Sequence, residues 1–129
     1  MVGAFEHLAL NVRDQKAVED WYIANMGFAI LGSNSAGAGF LADASGRPVF
    51  ELFSRTDIPY FDAEATPSLS IHIAYECSDI EGTTRKLLHA GATEDIPFAV
   101  SPEGDELVML RDPFGITIQL INRANPFPR

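Results

Sequence analysis

Two stretches of this chain, 65 positions apart, carry the same pattern. FEHLALNVRD (5–14) places His7-Leu8-Ala9 where LSIHIAYECSD (69–79) places His72-Ile73-Ala74, and Asp14 matches Asp79. Both runs alternate in polarity as a strand does, and both end on an aspartate where a helix N-cap belongs. After Asp14, Ala17, Val18, Trp21, Tyr22 and Met26 fall at helical spacing, with Gly27 as the stop. After Asp79, Ile80, Thr84, Leu87 and Leu88 share a face, with Gly91 as the stop. The halves also end alike: VFELFSR (49–55) and TIQLINR (117–123) match in pattern, each with one central polar residue, Glu51 and Gln119. Between helix and last strand lie the strand-like runs FAIL (28–31), GAGFLADA (37–44) and ELVMLRD (106–112), with turns at SGRP (45–48) and DPFG (112–115). Each half therefore reads as βαβββ. The expected fold is α+β: one module over 1–55, a proline-containing linker over 56–67, a second module over 68–123, and a tail over 124–129.

Composition narrows the function. The chain has 129 residues, enough for one domain or two small modules sharing a core. Its formal net charge is −9 and its nine basic residues are scattered, which argues against nucleic acid as a partner. One cysteine, Cys77, excludes an internal disulfide framework and fits a reducing compartment. No apolar run approaches the roughly 20 residues of a membrane span, and MVGAFEHLAL lacks the basic start of a signal peptide. The expected setting is cytoplasmic, without membrane contact.

The repeat gives His7 its meaning. Two modules related by a pseudo-two-fold axis would set His7 opposite His72 and Glu51 opposite Gln119, within reach of a single ion. By strand parity, Ser70, His72, Ala74 and Glu76 share one side, with Leu69, Ile71, Ile73 and Tyr75 on the other. Burying a carboxylate and two imidazoles in one hollow is costly unless something pairs them. A divalent cation is the simplest partner, and this donor set suits Zn, Ni, Mn, Fe or Co. The four residues could instead hydrogen-bond one another around a metal-free pocket.

The ordered set FEHLALNV, DWYIANMGF, SIHIAYE and RDPFGITIQL resembles the glyoxalase/bleomycin-resistance/extradiol-dioxygenase group, the vicinal oxygen chelate superfamily, over residues 4–123. The resemblance implies paired βαβββ modules forming a curved, partly open mixed sheet around a metal, often across a homodimer. It implies ligands at His7, Glu51, His72 and Gln119. Gln119 departs from the glutamate usual at that position; a carboxamide ligates through oxygen but accepts no proton. For isomerase-type chemistry the metal would polarise a carbonyl while Glu51 moves the proton, as ligand and base in one.

The leading expectation is therefore a metal-dependent lyase or isomerase of glyoxalase type acting on a small carbonyl-bearing substrate. The rival is a bleomycin-resistance-like protein that sequesters a small molecule in a metal-free cleft. An extradiol-type dioxygenase comes third, because Gln119 stands where its carboxylate belongs. Arg13, Asn11, Phe53 and Glu76 are candidate substrate contacts. Phe40, Phe53, Tyr60, Phe61 and Phe98 are candidates for an apolar wall, each explained as well by core packing.

Overall fold

The computed structural model describes residues 1–128. The chain divides into two units, Met1–Phe61 and Asp62–Arg129. The first runs β1 (Leu8–Asn11), α1 (Gln15–Met26), β2 (Ala29–Ser33), β3 (Gly39–Ala42) and β4 (Pro48–Phe53). The second runs β5 (Ile73–Glu76), α2 (Ile80–His89), β6 (Thr93–Val100), β7 (Glu106–Arg111) and β8 (Thr117–Asn122). Each unit holds a four-stranded mixed sheet, ordered β1-β4-β3-β2 in one and β5-β8-β7-β6 in the other. First and last strands of each module pair in parallel, and the remaining ladders are antiparallel. A parallel pair needs a long crossover, which the helix and hairpin between them supply.

The helix starts are set as their aspartates imply. The Asp14 side chain accepts from Ala17 N, and that of Asp79 accepts from Gly82 N. Such a cap satisfies one of the free amides of a first turn. The first helix closes on Gly27, whose φ of 70° is left-handed and favours a residue without a Cβ. The second closes on Ala90, with Gly91 following at φ 104°.

The repeat holds in register. Ala9 pairs with Glu51 across β1 and β4, and Ala74 pairs with Gln119 across β5 and β8. On the far side of each last strand, Phe40 opposes Glu51 and Met109 opposes Gln119. Loops repeat as well. Asp43 Oδ1 accepts from Ser45 N and Arg47 N, and Asp112 Oδ1 accepts from Phe114 N and Ile116 N. Asn34 and Ser101 close the corresponding earlier turns by accepting from Ala38 N and Asp105 N.

Each sheet buries one face under its helix. In the first module Tyr22, Phe28 and Phe50 pack ring to ring, with centroids 5.1–6.0 Å apart. In the second, Leu87 of α2 is buried, as are Val108, Leu110, Ile118 and Leu120 of the sheet. Leu88, expected on the buried face, is partly exposed. Among the described residues no helix is long and apolar enough to cross a membrane.

Two details differ from the reading of the sequence. β6 is the strand that βαβββ requires in the second module but that no run of the sequence locates: it is an exposed edge, interrupted by Pro97 and two register shifts, so it lacks the alternation of a half-buried strand. The strand expected across 69–76 begins only at Ile73; residues 68–70 form a turn and Leu69 is exposed. The segment 56–67 is divided between the units. Asn11 holds its first part, bonding to Arg55 N and O, Ile58 O and Pro59 O, and Arg111 holds its second through Ala63 O and Thr66 O.

Candidate functional site

His7 stands one residue before β1, and its ring lies between two carboxylates. Nδ1 is 2.7 Å from Glu6 Oε1 and Nε2 is 3.2 Å from Glu51 Oε2. The Phe40 ring meets the imidazole edge-on, with centroids 5.6 Å apart. Glu51 is half-buried at the middle of β4, where backbone pairing on both sides fixes its position. A neutral imidazole has one ring proton. If Nδ1–H donates to Glu6, the Glu51 carboxylate faces a bare nitrogen unless a second proton or a cation intervenes. Two donors each about 2.0–2.2 Å from a zinc-class ion lie roughly 3 Å apart at tetrahedral or octahedral angles. The His7–Glu51 spacing fits that donor arrangement, and Glu6 on Nδ1 matches the outer carboxylate that commonly orients a metal-ligating histidine.

His72 stands at the equivalent place, one residue before β5. Its Nδ1 is 2.8 Å from Ser68 O. A carbonyl only accepts, so Nδ1 carries a proton, and in the neutral ring Nε2 then presents a lone pair. Gln119 occupies on β8 the register position of Glu51 on β4 and is likewise half-buried. The second module thus presents an imidazole and a carboxamide where the first presents an imidazole and a carboxylate. Among the described residues, no group of three or more histidine, cysteine, aspartate or glutamate side chains gathers in a way that could hold a metal ion.

Behind His72 lies a network that the sequence reading missed. The Arg111 guanidinium donates through Nε to Asp95 Oδ1 at 3.2 Å, and to the carbonyls of Ala63, Gly115 and Thr66 at 2.9–3.0 Å. The Ser68 hydroxyl and then Arg111 hold the Asp95 carboxyl below its ordinary pKa, against the opposing effect of burial. No local motif joins these residues, since they lie on three separate segments.

The candidate substrate contacts separate by environment. Asn11 is buried and both ends of its amide are engaged by residues 55–59. Arg13 is exposed, its guanidinium 4.9 Å from the Tyr60 ring centroid. Phe53 is half-buried on the same face of β4 as Glu51, while Glu76 is exposed at the end of β5. Cys77 Sγ lies 3.3 Å from Thr83 Oγ1 beside the second helix.

A sequence model of the family described as Glyoxalase/Bleomycin resistance protein/Dioxygenase superfamily matches residues 4–120. Among solved structures, TioX from Micromonospora sp. ML1 is similar at 23% identity and a TM-score of 0.67, covering 94% of this chain and 99% of its own. The genomically encoded fosfomycin resistance protein FosX from Listeria monocytogenes is similar at 16% identity and a TM-score of 0.72, covering 95% and 94%. TnmS3, an antibiotic binding protein from Streptomyces sp. CB03234, is similar at 20% identity and a TM-score of 0.70, covering 95% and 98%. These likenesses establish the fold. No curated protein matches the chain.

Proposed function

The chain belongs to the glyoxalase/bleomycin resistance protein/dioxygenase superfamily, and from that premise we propose that it is a metal-dependent lyase or isomerase acting on a small carbonyl-bearing substrate. His7, Glu51, His72 and Gln119 are its proposed ligands for one divalent ion of the Zn, Ni, Mn, Fe or Co class. The observation that carries this reading is the His7 ring set between Glu6 and Glu51, with a carboxylate at each nitrogen. His72 supports it, because its Nδ1 contact leaves Nε2 free to ligate.

A divalent ion bound there would supply Lewis acidity to a substrate carbonyl oxygen. The chain's own residues do the rest. Glu51 is the proposed proton carrier, since its carboxylate is the only one in the set and Gln119 cannot accept a proton. Glu6 orients His7, and the Phe40 edge limits its rotation. Phe53 supplies apolar surface beside Glu51, and Arg13 is the proposed cation for an anionic group on the substrate. Asn11 is committed to its loop and is given no substrate role.

The test is metal analysis of untagged protein purified without chelator. Close to one equivalent of a divalent ion per chain is expected, together with a rise in thermal stability when zinc, nickel or manganese is added. No bound metal and no thermal response would overturn the reading. They would favour a small-molecule binding protein instead, a second reading suggested by the uncharged Gln119 and by the antibiotic binding of TnmS3. A dioxygenase is disfavoured by the same glutamine. Assembly as a cytoplasmic homodimer belongs to the proposal, and light scattering on the eluting protein checks the dimer.

A further inference from the structure

The repeat is a control built into the molecule. Most of what holds one module has a counterpart in the other: the caps, the Asp43 and Asp112 turns, and the Ala–Glu and Ala–Gln pairs. The Arg111 network does not. By the spacing that matches Asp112 to Asp43, Arg111 corresponds to Ala42, a buried methyl group. The first module therefore builds the same sheet without a guanidinium there, so sheet formation alone does not require one.

What the second module gains is a fixed path into His72. Arg111 ties down Ala63 and Thr66, and its Nε contacts Asp95. Ser68 is 5% exposed, and its hydroxyl is the first cause of the lowered Asp95 pKa. The Ser68 carbonyl in turn accepts from His72 Nδ1. Thr117 closes the other flank by donating Oγ1 to Ile71 O at 2.8 Å. The turn before β5 is thus held on both sides of the histidine. His7 takes its Nδ1 partner differently, from Glu6, whose side chain is largely exposed.

We infer that Asp95 and Arg111, acting through Ser68, are positioning residues that hold His72 as its Nδ1–H tautomer and leave Nε2 as a lone-pair donor. What Nε2 is for rests on the metal-dependent reading above; how it is held does not. Both the place of the Ser68 carbonyl and the single tautomer follow from keeping the turn closed.

The experiment uses the full chain labelled with 15N, free of metal and in alkaline buffer. Long-range 15N–1H correlation reports which nitrogen of His72 carries the proton, and zinc titration follows on the same samples. Wild type should show the Nδ1–H signature. Asp95→Ala should lose it, giving averaged or Nε2–H signals, and should weaken zinc binding by about 10–100-fold. Asp95→Asn, which still accepts from Ser68, should retain most of the wild-type pattern. Ser68→Ala removes only the hydroxyl and decides the matter should Asp95→Ala fail to fold. His72 signals unchanged in the folded variants would overturn the inference, whether or not zinc binds. If wild type binds no zinc yet the tautomer still changes, the positioning role stands and the metal reading falls.

Discussion

Glu51 approaches Nε2 of His7 to 3.2 Å from the middle of a doubly paired strand. The two residues lie 44 positions apart in the chain, and the β1–β4 ladder brings them together. Glu51→Gln should keep the fold while removing the negative donor. Calorimetric titration with zinc should then show markedly weaker binding and any turnover should cease. For wild type, zinc at 100 times its Kd should add about 2.7 kcal/mol of stability in thermal unfolding. Equal stabilisation of the variant would remove Glu51 from the site.

Gln119 sits at the same register point of the second sheet without the charge. Gln119→Glu should tighten divalent-cation binding by roughly tenfold, as added ligand charge generally does. Unchanged zinc affinity would show that residue 119 lies outside the donor set.

Asn11 ties residues 55–59 to the end of β1 by bonds from both ends of its amide. Asn11→Ala strips these partners and should cost about 1–3 kcal/mol in urea unfolding. Limited proteolysis should open first within the same stretch.

Acid should weaken the Arg111 network in a defined direction. The Asp95 carboxyl is held below its usual value of 3.8, chiefly by the Ser68 hydroxyl. A lowered folded-state pKa stabilises the fold above the unfolded value, and that contribution fades as pH falls through the folded one. Stability measured by urea midpoint should therefore decline from near pH 3.8 downward, and Asp95→Asn should decline less steeply. Parallel curves for the two proteins would contradict the assignment.

Phe50 is 1% exposed and packs against both Tyr22 and Phe28. Phe50→Ala leaves a cavity in the first module and should cost about 3–5 kcal/mol in chemical denaturation.

The sequence carried the fold well because the fold is stated twice. His7 alone is ambiguous, but His7 and His72 with matched caps and matched last strands specify paired modules and a common register. The signal weakened where side-chain periodicity did. β6 is an edge interrupted by Pro97, with no buried face to impose alternation. His72 precedes its strand, so strand parity does not govern its surroundings, and Leu69 turns out to be exposed. Glu6 was invisible as a partner because neighbours in a strand point apart, whereas residues 6 and 7 lie before β1. Arg111, Asp95 and Ser68 meet only through tertiary structure, and nothing in their local sequence announces it.

β2 and β6 form one outer border of each sheet, and every residue in them is exposed. Ile30, Leu31, Ile96, Phe98 and Val100 line those borders. Long flat apolar borders invite runaway strand addition between molecules. Here β2 shifts register between Ile30 and Gly32, and β6 is broken twice around its proline. A foreign strand would find only short stretches of backbone to copy. These borders can present greasy side chains to a visitor without acting as templates for fibre growth.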